Sequence, residues 1–166
     1  MKQITVIIFL SVIALFSSCS RQPQNVKYLD KLPDIYPDYI NVSIPPNIAP
    51  LNFLLRQKCK STYATLKFAD KTITTSSGSN NICFDFDEWK QITSLSAGNN
   101  LELTVYAENE NGEYLQFKSF NIYVEKDSID QYLSYRLIEP DYEVYSKLTI
   151  EQRCVENFDK KDICNY

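Results

Sequence analysis

NLELTVYAENENGEYLQFKSFNIYV, residues 100–124, carries the clearest structural signal in the chain. Leu101, Leu103, Val105 and Ala107 alternate with Glu102, Thr104, Tyr106 and Glu108. Successive strand side chains point to opposite faces, so this period of two buries one face and leaves the other wet. Asn111-Gly112 suits the positive φ angles of a tight turn, and alternation resumes from Phe117 to Val124. The stretch reads as a long β-hairpin.

Outward from the hairpin, short strand-like runs recur. LNFLL (51–55), TYATLKF (62–68) and KTITTS (71–76) precede it, the last followed by a polar SSGSNN loop. Two more candidate strands, 132–138 and 147–155, flank an Ile138-Glu139-Pro140-Asp141 turn. Five of the seven prolines fall in residues 33–50, which excludes helix there and marks INVSI (40–44) as an edge strand. FDFDEWKQI (84–92) begins strand-like and passes into a helical turn that puts Trp89 and Ile92 on one side. Seven or so short strands in a chain rich in tyrosine and phenylalanine and poor in glycine predict an all-β fold, an antiparallel β-sandwich. The Trp89 region, the loop with Gly98 and the long hairpin resemble a fibronectin type III or immunoglobulin-like arrangement.

The N-terminus, MKQITVIIFLSVIALFSSCS, has one lysine, then an apolar stretch too short to span a bilayer, then small residues before Cys19. This layout predicts a lipoprotein signal peptide at residues 1–18 and acylation of the Cys19 thiol. Phe16, where an aliphatic residue is usual, departs mildly from that pattern. An ordinary signal peptide or an uncleaved anchor is the alternative, and the length and flanks favour the cleaved lipoprotein. Residues 19–34 are polar and unpatterned and read as a tether, leaving 35–166 as the sandwich domain. Ser20, rather than aspartate, after the cysteine points to the outer membrane, and the lack of a following acidic run to its periplasmic face. The expected location is the bacterial cell envelope, held at the membrane through the N-terminal lipid.

Composition removes several kinds of chemistry. With no histidine, the chain cannot assemble Ser-His-Asp or Cys-His catalysis, histidine-ligated zinc or axial-histidine haem. The signal carries one of the 17 basic residues and none of the 21 acidic ones, so the mature chain has a net charge near −5 and no basic stripe for nucleic acid. Cys59, Cys83, Cys154 and Cys164 make no Cys-x-x-Cys pair, and four cysteines admit three full pairings. A short-range Cys154–Cys164 bridge is expected, with Cys59–Cys83 as the second; buried thiols are the alternative. Asp85, Asp87 and Glu88 lack the glycine and distal glutamate of a calcium loop and read as a solvated face, so no metal or other cofactor is expected.

Three stretches together resemble a known family: IYPDYINVSIPPNIAPLNFLL (35–55), YLSYRLIEPDYEVYSKLTIEQRCVENF (132–158) and the segment around Cys19. They resemble the N-terminal module of Bacteroidetes TolB-like propeller lipoproteins, also labelled cytochrome c biosynthesis proteins, with Pro45 to Phe53 the most specific part. In that family the module precedes a Cys-x-x-Cys-His segment and a β-propeller. Neither has a counterpart in these residues, so haem attachment and the propeller's functions do not carry over, and no catalytic residue transfers. A stand-alone relative or a truncated product is implied.

The function expected from this reading is a non-catalytic, lipid-anchored accessory module that binds another envelope protein. One route is strand addition at the proline-marked edge of residues 40–55. The alternative is a glycan-binding lipoprotein whose aromatic platform is Trp89 with surface tyrosines.

Overall fold

A computed structural model describes residues 22–137 and 149–165 and shows a mostly β chain. The hairpin is built from β8 (Asn100–Glu108), β9 (Tyr114–Gln116) and β10 (Phe120–Val124). Leu101, Leu103, Val105 and Ala107 are all buried, as the alternation requires. The turn differs in detail from the expected one. Gly112 alone takes a positive φ, 81°, while Asn109 Oδ1 accepts the amides of Asn111 and Glu113, giving a three-residue loop.

The return strand changes phase midway. Tyr106 pairs with Gln116, but Leu103 pairs with Phe120, so the return strand carries one extra residue between those points. This bulge lets Phe117 and Phe120, three apart, both enter the core. β9 and β10 are thus two ends of one strand, each with its own parallel partner: β1 (Val26–Tyr28) and β3 (Ser43–Ile44). On the other side of β8 lie β5 (Ser61–Phe68) and then β6 (Lys71–Ser77), completing a seven-stranded sheet. The β5–β6 turn is only Ala69-Asp70, with Ala69 held at φ 48°.

A second sheet, β2 (Ile35–Tyr36), β4 (Asn52–Leu55) and β7 (Asn81–Cys83), supplies Ile35, Phe53, Leu55 and Ile82 to the same core. Helix α1 (Phe86–Leu95) adds Trp89 and Ile92. Each fully buried Leu, Ile or Phe side chain contributes about 1.5–3 kcal/mol, so this shared core dominates stability. The all-β expectation holds.

Two boundaries move. β1 lies inside the stretch read as a tether: Leu29 N–H donates to the Gln116 carbonyl (2.8 Å) and Lys118 N–H to the Lys31 carbonyl (3.0 Å). Among the described residues, the first strand is therefore Val26–Tyr28, within the stretch 19–34 expected to be a tether. The helical turn at 84–92 is a ten-residue helix, capped by Asp85 Oδ1, which accepts the amides of Asp87 (3.0 Å) and Glu88 (3.1 Å). A third sheet, β11 (Tyr132–Leu137), β12 (Thr149–Cys154) and β13 (Lys160–Asn165), follows the sandwich; the expected 138–141 turn lies outside the described residues.

Candidate interaction surface

Residues 45–50, PPNIAP, lie where helix, sandwich and third sheet meet. Pro45 and Pro46 cannot donate to a ladder, and the polar groups that follow turn to other elements. Asn47 Nδ2 donates to the Ile129 carbonyl (2.9 Å) and to Glu156 Oε1 (3.3 Å), while its Oδ1 accepts the Ile129 amide (3.1 Å). The Ile48 carbonyl accepts the Trp89 indole N–H (3.0 Å). Ala49 N–H donates to the Val155 carbonyl (2.7 Å). One short strap fastens α1 on one side and the third sheet on the other.

Two grooves flank the strap. One of about 260 Å³ lies against α1, lined by Pro46, Ile48, Phe86 and Trp89. The other, about 470 Å³, opens between sandwich and third sheet, where Tyr39, Pro45, Pro50, Val155 and Phe158 line it. Ile48 borders both.

The third sheet and the segments beside it expose many apolar side chains. Among the described residues, half of the twelve large hydrophobic side chains left open lie between Ile129 and Ile163. Leu133 (58% exposed) and Leu137 share one face of β11, and Phe158 (59%) projects from the β12–β13 connection. β11 and β13 flank β12, so each has one edge without a strand partner among the described residues.

A charged cluster holds this sheet together. Glu151, in the central strand, is almost fully covered and accepts from Tyr135 Oη (2.7 Å) and Lys160 Nζ (2.9 Å). Those two hydrogen bonds, Tyr135 first, hold its carboxyl below the usual carboxylate value, against the opposing effect of burial. The Lys160 ammonium and the Tyr135 phenol are both pushed up, chiefly by their bonds to Glu151. A lowered carboxyl stabilises the fold above its unfolded value, near 4.5, and that contribution disappears as pH falls through the lower folded value. The raised lysine and phenol contribute below their unfolded values and are lost as pH rises through the folded ones. The third sheet should be firmest between about pH 5 and pH 10. Thermal melts across this range should show an acid limb that Glu151→Gln flattens; an unchanged limb would remove the cluster from the explanation.

Several expected site residues fall elsewhere. Trp89 is 1% exposed, stacked on Phe84 (centroids 6.0 Å apart), so it is a core residue and no platform. Its place follows from helix α1, whose Trp89, Ile92 and Thr93 face inward. The four cysteines are free thiols, and neither expected bridge is formed. Cys164 opposes Ile150 on the partner strand, four positions from Cys154, or about 13 Å along the ladder and beyond disulfide reach. Burial pushes the Cys59 and Cys83 thiols up, which keeps both protonated at neutral pH. Asp85 serves as the helix cap, with Asp87 and Glu88 in the first turn, where the helix dipole favours negative charge.

The proline-marked edge is also only partly an edge. β3 ends the large sheet but is two residues long, while β4, containing Asn52, lies between β2 and β7. Cys19 and the expected signal peptide, residues 1–18, lie outside the described residues. What the sequence reading missed was the open face of the third sheet; the apolar residues of YLSYRL (132–137) were its visible signal. No family model, curated protein or solved structure matches this chain.

Proposed function

We propose that this chain is a lipid-anchored, non-catalytic module of the bacterial cell envelope that binds another envelope protein through its third sheet. In this reading Cys19 carries the lipid, and the module is related to the N-terminal part of TolB-like propeller lipoproteins. The observation that carries it is the concentration of open apolar side chains on and beside β11–β13, a small sheet whose two outer strands each have one edge without a strand partner among the described residues. Exposed apolar patches on otherwise polar domains mark contact surfaces, and free edges accept a partner's strand. Strand addition thereby moves from residues 40–55 to β11 or β13.

The early start of the fold adds a constraint. Val26 is seven positions after Cys19, a reach of about 25 Å when fully extended. A lipid at Cys19 keeps β1 close to the bilayer, so the partner would be membrane-associated or just beneath the membrane.

The test places a photo-crosslinking residue at position 133 in the native envelope, with position 90, on α1, as the control. Capture of one envelope protein from position 133 alone, reduced at least tenfold by Leu137→Asp, is the expected outcome. Equal capture from both positions, or none with the protein present at its mature size, would overturn the reading.

A further inference from the structure

We propose that the outer face of the seven-stranded sheet, on the side opposite the core, is a binding surface for neutral glycan chains. Register alone assembles it. One row across the strands runs Tyr28, Gln116, Tyr106, Tyr63, Ser76, from β1 through β9, β8 and β5 to β6. A neighbouring row places Tyr114 beside Glu108 and Ser61. On the other side lie Thr104, Thr65 and Thr74, with Ser119 joined to Thr104 through their hydroxyls (2.8 Å). Further along, Glu102 pairs with Lys67 and Asn121.

The chemistry of this face selects its occupant. Phenol rings offer flat apolar surface for the C–H faces of sugar rings, and hydroxyl, amide and carboxylate groups offer partners for sugar hydroxyls. Val26 is the one aliphatic side chain in these rows, so the face lacks the apolar patch of a protein-packing surface. Glu102 and Glu108 against Lys67 leave little net charge, which disfavours nucleic acid and anionic lipid.

The face also has depth. A depression of about 230 Å³ lies among Ser61, Tyr63, Ser76, Gly78 and Tyr114. That is smaller than the pockets of drug-sized ligands, roughly 300–1,000 Å³, and suits a single sugar ring. Tyr63, only 4% exposed, lines it and is held edge-on by Tyr106 (centroids 5.6 Å apart, planes at 64°), so the more open Tyr114 and Tyr28 rings are the ones a sugar would meet. Tyr28 stands open at the end of the central row, 58% exposed. Burial and the neighbouring Tyr63 push the Tyr106 phenol up, so it stays a neutral hydroxyl across the physiological range.

The experiment is affinity electrophoresis of the full-length chain in a detergent without a sugar headgroup. Gels contain xyloglucan, galactomannan, mixed-linkage β-glucan or pullulan, with alginate as the anionic control. Co-sedimentation with purified peptidoglycan sacculi runs in parallel, to separate a cell-wall glycan from a free polysaccharide. Retardation by a neutral polymer, or retention on sacculi, is expected. Tyr28→Ala, at an exposed edge position, should weaken it about tenfold with the melting temperature unchanged. Tyr106→Phe keeps the ring, removes one hydroxyl and should weaken it less. Binding to alginate alone, no binding to any polymer, or binding indifferent to both variants would overturn the proposal. Leu137→Asp, on the third sheet, should leave glycan retention unchanged, which separates this test from that of the protein partner.

Discussion

Trp89→Ala lowers the melting temperature by roughly 10–20 °C, the largest loss expected from any single aromatic truncation in this chain. Removing a fully buried tryptophan costs about 3–5 kcal/mol, from lost transfer energy and the cavity left behind. Trp89 is also tied into the strap: its indole N–H satisfies the Ile48 carbonyl, and its ring packs on Phe84. Alanine leaves that carbonyl without its donor as well as opening the space. With total stability of about 5–15 kcal/mol for a domain of this kind, such a change takes a large share of it. Trp89→Phe, which restores most of the ring volume and not the N–H, should lose half as much or less. Differential scanning fluorimetry with an extrinsic dye reads both variants. A Trp89→Ala protein that melts within about 3 °C of the parent would mean that the ring is not packed as described.

The contrast between Trp89 and Tyr28 shows where sequence stops being informative about aromatics. Both types suit either a core or a sugar-stacking platform. What separates them is position relative to a neighbouring element. Trp89 is inward because α1 starts at Phe86 and turns that face to the core; Tyr28 is outward because β1 pairs with β9 in a register that no local pattern encodes. The helix start did have a legible signal. Asp85 followed three residues later by Glu88 is the spacing of a helix N-terminal cap, which gives Asp85 its structural role.

The hairpin of residues 100–124 was readable because its two faces differ so sharply in polarity. The one-residue bulge near Phe117 was not, since Phe117 and Phe120 are equally apolar and either phase of alternation accommodates one of them. β1 and β13 escaped for a shared reason. Val26–Tyr28 is exposed throughout, and β13 is exposed from Lys160 to Ile163, so backbone pairing rather than side-chain burial holds them in place. Pairing partners are distant in sequence, and hydrophobic periodicity carries no record of them. The same argument covers the tyrosine-bearing face, which exists only once β5 lies beside β8.

Asn47→Leu should release the third sheet while the sandwich stays folded. Asn47 makes two hydrogen bonds with the backbone of Ile129 and a third with Glu156, and leucine can make none of them. At about 0.5–1.5 kcal/mol net for each, the docking of the third sheet weakens by about 1.5–4.5 kcal/mol. That corresponds to an opening population at least about tenfold larger. The sandwich core draws nothing from these bonds, so its own melting transition should be unchanged. Brief proteolysis of the intact protein, read by mass, should then show faster cleavage confined to the approach to β11, around residues 126–131. The Ala49 to Val155 hydrogen bond survives the substitution and sets the limit on release, since it fastens the same strap to the end of β12. If the cleavage rate matches that of the parent, this backbone bond and the apolar contacts lining the groove hold the sheet without Asn47, and the strap is not the hinge. If cleavage rises and capture of an envelope protein from position 133 falls with it, partner binding requires the sheet to be held against the sandwich, and the groove beside Phe158 becomes part of the contact surface.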